Sequence, residues 1–180
     1  MPGTYNHAEF SSVDAYHPVR DGLAGMGCGP IAIATVLSGY DINKDPAKVG
    51  TELMDTARRL GIKRTIRLSS MAKSITDNNK AVTAKAHYFK NYGSGKSGDE
   101  KLVYNELKKE LEQGHYIVIY VGACRWANSN NHFISLLGID LSNNKVFIGN
   151  KNKSKNKYEW SDLMDVVKVR KYNQGWLEIY

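Results

Sequence analysis

A nearly all-apolar run follows Pro30 and constrains the fold more than any other stretch of the chain. Residues 31–37, IAIATVL, carry no charge, and Gly39 follows shortly after them. Pro30 suits the first position of a helix, where its missing N–H costs nothing. A helix that is apolar on all sides has to be buried. The sequence therefore predicts a helix from Pro30 to Gly39 at the centre of the domain.

The remaining helices and strands are predicted from the spacing of apolar residues and from the residues that form turns. Helical patterns give way to β-branched, apolar runs after Gly114, which predicts an α+β fold with an antiparallel sheet in one domain spanning 1–180. The turn LSNN, residues 141–144, joins two such runs into a hairpin. The first predicted helix after the one that begins at Pro30 spans 46–60 and is capped by Asp45, and a short helix runs from Ser69 or Ser70 through Ile75. Two further helices are predicted at 99–113 and 161–167. The predicted strands are 84–89, 115–123, 132–140, 145–150 and 175–180.

Composition excludes several classes of protein. A hydrophobic content of 42% in 180 residues supplies a core without disulfides. The two cysteines, Cys28 and Cys124, are too few for a disulfide scaffold or a structural zinc site. The histidines are scattered and form no H-x-x-x-H motif, so the sequence predicts no metal and no cofactor.

The net charge of +7 is concentrated in one segment. KNKSKNK, residues 151–157, alternates lysines with small polar residues, which is typical of a solvated loop; an anionic cell-envelope surface is the alternative partner. No aromatic residues interleave with these lysines, which argues against nucleic acid. No apolar stretch is long enough to predict a membrane span.

The N-terminal residues MPGTYNHAEF have neither an apolar signal core nor a basic leader. Two locations stay open from the sequence. The protein is cytoplasmic, or it is extracellular or bound to the cell envelope after an export segment has been removed.

Cys28 lies between Gly27 and Gly29, immediately before the predicted buried helix. The positive end of a helix favours a thiolate, which is the reactive form of cysteine. Backbone N–H groups there can also bind an oxyanion, and the two glycines let a substrate backbone approach closely. The alternative is a buried cysteine that acts as a small apolar side chain. Cys124 ends a strand with no helix after it, so it is the weaker candidate.

A cysteine nucleophile needs a base and a group that orients the base. His132 follows the polar loop NSNN and begins an apolar strand, where its imidazole can face a cleft. In the predicted hairpin, Asn150 ends the second strand beside the start of the first. This places an amide oxygen near His132.

G-C-G-P before an apolar helix, with H-F-I-S-L-L-G-I-D and V-F-I-G-N far downstream, resembles the C39-like branch of papain-fold cysteine peptidases. The resemblance covers the cysteine helix, the histidine strand and the strand after it. It implies a papain-like fold with Cys28 as nucleophile, His132 as general base and Asn150 as the residue that orients the imidazole.

The sequence departs from the family pattern at two places. Asn150-Lys151 stands where members usually carry Asp-Pro, and no glutamine lies some twenty residues before the cysteine to donate to the oxyanion. The triplet Tyr5-Asn6-His7 lies at that distance, so His7, with Asn6 as the backup, is the predicted donor beside the backbone N–H of Cys28. Trp126, six residues before His132, is the predicted wall of the substrate cleft.

The resulting hypothesis is a cysteine peptidase or amidase that cleaves a peptide or protein substrate through an acyl-enzyme. Two alternatives stay open. One is a papain-fold binding module with weak or no catalysis, which both departures favour. The other is an acyltransferase or transpeptidase that uses the same three residues.

Overall fold

The centre of the fold is an antiparallel sheet. The computed structural model describes residues 28–62, 66–93, 98–126, 132–149, 157–171 and 173–180. Within these ranges six strands pair in the order β1-β6-β2-β3-β4-β5. The strands are β1 (Ala84–Tyr88), β2 (Tyr116–Val121), β3 (His132–Asp140), β4 (Lys145–Gly149), β5 (Lys157–Glu159) and β6 (Gly175–Ile179).

Helices cover both faces of this sheet. One face packs against the first three helices, and the other packs against the last two. The described helices are α1 (Cys28–Ser38), α2 (Pro46–Arg59), α3 (Leu68–Asn78), α4 (Glu100–Glu112) and α5 (Trp160–Met164), with a 3-10 helix at Phe89–Tyr92. None of the helices in the described ranges is long and apolar enough to cross a membrane.

The two cores follow from strand alternation. Successive side chains of a strand point to opposite faces, and β2 shows this clearly: Val118 packs in the core beside α1, while Ile117 and Ile119 pack in the core beside α4. Both faces of β2 are therefore apolar. This explains why its sequence reads as a continuous apolar run rather than an alternating one.

Helix α1 is buried, as its apolar sequence predicts. Residues 29–37 are all buried, and the helix packs against β3, β2 and α2. The helix begins at Cys28, two residues before the predicted start. Pro30 is tolerated inside the first turn because the N–H groups of that turn have no acceptor within the helix. Cys28 is consequently the first helical residue.

The predicted caps and strands are confirmed in most places. The Asp45 carboxylate accepts a hydrogen bond from the Ala47 N–H, and the Asp99 carboxylate caps α4. Helix α3 differs from its prediction because Ser70 lies inside its first turn, where its hydroxyl accepts from the Arg67 N–H at 3.1 Å. Helix α5 ends at Met164 rather than Val167, which instead forms a β-bridge with Val121.

The predicted hairpin of β3 and β4 is present. Asp140 pairs with Lys145 across a turn in which Asn144 has a φ of 51°. A bulge between Leu136 and Gly138 shifts the register by one residue. The described pairing ends with Ser135 opposite Gly149, three residues beyond His132.

The close approach of β6 to β1 depends on Gly175. A β-carbon at this position would overlap the backbone carbonyl oxygen of His87. We expect Gly175→Ala to lower the free energy of unfolding by about 3 kcal/mol or more, at the upper end of the range for overpacking, because the rigid backbone has to move. Gly114→Ala is the control, since Gly114 has open space but a φ of +81° and the substitution should cost only about 1–2 kcal/mol. Equal losses in denaturant titrations would contradict the overlap.

Candidate active site

Cys28 lies where the N-terminus of α1 meets the start of β3. Its side chain is partly exposed, and its sulfur accepts hydrogen bonds from the backbone N–H groups of Gly29 and Phe133. Gly29 belongs to the first turn of the helix. Phe133 belongs to the strand that His132 begins.

Two effects oppose each other at the Cys28 thiol. Burial raises its pKa, and the backbone N–H groups around the sulfur lower it by a smaller amount, so that the pKa of Cys28 lies above its ordinary value. The helix N-terminus acts in the predicted direction but does not outweigh the loss of solvent. The net effect favours the thiol form of Cys28 over the thiolate.

The hydrogen bond from Phe133 brings the backbone of His132 next to Cys28. His132 is the first residue of β3, is half-buried, and pairs with Val121 of β2. Cys28 and His132 are 104 residues apart in the sequence, yet they lie at one junction of helix and strand.

The other predicted site residues are only partly visible. Asn150, His7, Asn6 and Gly27 lie outside the described residues. Gly29 is the second residue of α1 and is buried. The contribution of each of these residues to a substrate site stays a prediction.

Trp126 packs into the core beside α4. Its indole is 9% exposed and meets the Tyr158 ring edge-on at 5.0 Å between centroids. The Arg125 guanidinium lies 5.1 Å from the Trp126 ring and 4.8 Å from the Tyr158 ring. Only the small exposed part of Trp126 is available for the cleft wall that the sequence predicts.

Tyr120 is a neighbour of Cys28 that the sequence did not identify. It pairs with Phe133 across β2 and β3, and the two rings lie edge-to-face at 5.6 Å. Burial, and after it the negative charge of a Cys28 thiolate, raise the pKa of Tyr120. Its phenol therefore lies close enough to interact electrostatically with a charge on the sulfur. The register of β2 against β3 would have identified it, but a single sequence does not give that register.

One lysine of the basic segment is engaged within the protein. Lys157 begins β5, and its Nζ lies 2.8 Å from Asp140 Oδ2. The hydrogen bonds from Asn143 and from Lys157 hold the pKa of Asp140 well below its usual range. Lys157 thus contributes to the β3–β4–β5 edge, while residues 151–156 lie outside the described ranges and their anionic partner stays a prediction.

The fold and the helix–strand junction at Cys28 define the papain-like class of cysteine peptidase folds. The model of the Peptidase_C39 like family matches residues 10–179. The chain therefore belongs to this family, as the sequence resemblance predicted. Membership supports a function of the cysteine-peptidase type.

Two solved structures are similar to this chain. A protein designated as a C39-like peptidase from Bacillus anthracis has a TM-score of 0.54 and 16% identity, over 84% of this chain and 88% of that one. The peptidase domain of Streptococcus ComA, a bi-functional ABC transporter involved in quorum sensing, aligns at a TM-score of 0.40 and 16% identity over 86% and 89%. The first of these shows a shared fold. No curated protein matches the chain.

The raised pKa of Cys28 predicts how its alkylation depends on pH. Thiolate is the reactive form, so the rate of reaction with iodoacetamide should rise about tenfold for each pH unit from 6 to 8 and continue to rise through pH 9. A Cys124→Ser variant isolates the Cys28 signal in mass spectrometry. N-acetylcysteine serves as the unburied reference and should react faster than Cys28 throughout. A rate that levels off below pH 7 would contradict this prediction.

Proposed function

We propose that the protein is a cysteine peptidase that cleaves a peptide amide bond with Cys28 as nucleophile and His132 as general base. The observation that carries the proposal is the hydrogen bond from the Phe133 N–H to the Cys28 sulfur. It links the cysteine to the residue that follows His132. Asn150, which comes directly after β4 in the sequence, is the proposed orienting residue for the imidazole.

The reaction would proceed in two halves. The Cys28 sulfur attacks the substrate carbonyl carbon while its proton passes to His132, and the amine leaves with that proton as the C–N bond breaks. A thioester is left on Cys28. Water then gives a proton to His132 and attacks the thioester, which releases the acid and restores the thiol.

Transfer of the thiol proton during attack suits the electrostatics of the site. A preformed thiolate would require a lowered pKa, whereas burial raises the pKa of Cys28. A base that accepts the proton only as the carbon–sulfur bond forms avoids a buried thiolate in the free enzyme. The backbone N–H of Cys28, with His7 or Asn6, is proposed to stabilise the oxyanion.

The same thioester serves a second reaction. If a substrate amine reaches it before water, the product is a new amide and the protein is a transpeptidase or acyltransferase. Both reactions need the same nucleophile and base, so they differ in products rather than in the effect of substitutions at Cys28 and His132.

Substitution of the two central residues tests the proposal. We expect Cys28→Ala and His132→Ala each to lower the cleavage of a mixed peptide library by at least about 10³-fold, measured by mass spectrometry of the products. Cys124→Ala is the matched control, because Cys124 is also half-buried, and it should cleave at close to the wild-type rate. Circular dichroism establishes that each variant is folded.

The products separate the alternatives. New termini carrying oxygen from labelled water indicate hydrolysis, and joined peptides indicate acyl transfer. Peptides that bind but are not cleaved, with no difference between wild type and Cys28→Ala, would overturn the enzymatic proposal and leave a binding module.

A further inference from the structure

A buried cluster of titratable side chains lies on the face of the sheet that packs against α4. His87 of β1 and Glu178 of β6 project towards Glu110 of α4, and these residues are 7%, 7% and 1% exposed. This is the face opposite to α1 and Cys28. The mechanism proposed above uses none of these residues.

Each of the three side chains has one polar atom held by a neighbour outside the trio. The Tyr92 hydroxyl hydrogen-bonds His87 Nδ1, and His115 Nδ1 lies 2.7 Å from Glu178 Oε1. The Trp176 indole N–H donates to Glu110 Oε2 at 2.8 Å. These contacts fix the orientation of all three side chains.

The remaining polar atoms converge on one point. His87 Nε2 lies 2.6 Å from Glu178 Oε2 and 3.4 Å from Glu110 Oε1, and the three atoms all lie within 4.8 Å of one another. Glu110 Oε1 is fully buried, faces this point and has no hydrogen-bond partner among the described residues. An oxygen in that situation is costly to bury unless something binds it.

We propose that His87, Glu110 and Glu178 form a binding site for a divalent transition-metal ion, with zinc as the best match. One imidazole nitrogen and two carboxylate oxygens are ligands that zinc accepts. The two carboxylates would offset the charge of the ion. In the metal-bound tautomer His87 carries its proton on Nδ1, where the Tyr92 oxygen accepts it. Tyr92, Trp176 and His115 then act as the outer shell that orients the ligands.

One of the ligand separations suits this ion, and a second suits it after a small movement. Ligands of a tetrahedral zinc lie about 2.0–2.2 Å from the ion and hence about 3.3 Å from one another. The separation of His87 and Glu110 already has this value at 3.4 Å. The separation of His87 and Glu178 has to open from 2.6 Å, which rotation of the Glu178 carboxylate provides. The site would join β1, β6 and α4 and stabilise that edge of the fold.

Zinc titration of the full chain tests the site. Cys28 and His132 are themselves zinc ligands by type, so the titration is made in a Cys28→Ala, Cys124→Ala background after treatment with chelator and desalting. We expect one equivalent of Zn²⁺ in calorimetry, a higher unfolding temperature with Zn²⁺, and visible absorption from Co²⁺ bound in its place. Less than one equivalent, or an unchanged unfolding temperature, would overturn the proposal.

Variants locate the binding. Glu110→Gln keeps the acceptor for Trp176 and should weaken zinc binding by more than about 100-fold, while Tyr92→Phe should weaken it by about 10–100-fold. Glu112→Gln is the matched control on the same helix, because Glu112 is exposed, and it should bind as the parent does. If Glu110→Gln and Tyr92→Phe both bind zinc as tightly as Glu112→Gln, the ion lies elsewhere and the assignment is wrong.

Discussion

The burial of α1 between the sheet and α2 is the constraint on which the candidate active site depends. A helix with no polar face cannot lie at the surface, so its position against β3 and β2 is fixed by apolar packing. Its first residue, Cys28, is thereby held against the start of β3, and the Phe133 N–H hydrogen-bonds the sulfur. The position of Cys28 at this junction thus follows from core packing.

The same burial sets the chemistry of the thiol. A helix N-terminus alone would lower the pKa of Cys28, but the sulfur loses solvent at this junction, and this loss is the larger effect. In the proposed reaction the base therefore acts during attack, and His132 is the candidate because it begins the strand that lies next to Cys28. Tyr120 belongs to the same environment through its pairing with Phe133. The packing that holds Cys28 at this junction therefore also raises the pKa of its thiol.

The opposite face of the sheet has a different character. There the apolar core beside α4 encloses His87, Glu110 and Glu178, which are far more costly to bury than leucine or valine. Their outer hydrogen bonds to Tyr92, Trp176 and His115 orient them towards one point. Strand β6 contributes side chains to both faces of the sheet. Trp176 and Glu178 belong to this cluster, whereas Leu177 and Ile179 pack in the core that contains α1.

The sequence by itself determined most helices and strands, and it identified Cys28 and His132, the two residues that meet at the candidate active site. The apolar run after Pro30 gave a buried helix, and the turn at 141–144 gave a hairpin with His132 at its open end, because both depend on local pattern and turn chemistry. Only the tertiary structure decided what local pattern does not encode. The bulge after Leu136 shifted the hairpin register, burial reversed the net effect on the Cys28 pKa, and strand pairing brought Tyr120 to the cysteine and His87 to Glu178. Each of these depends on which residues from distant parts of the chain become neighbours, and that is settled by packing and register.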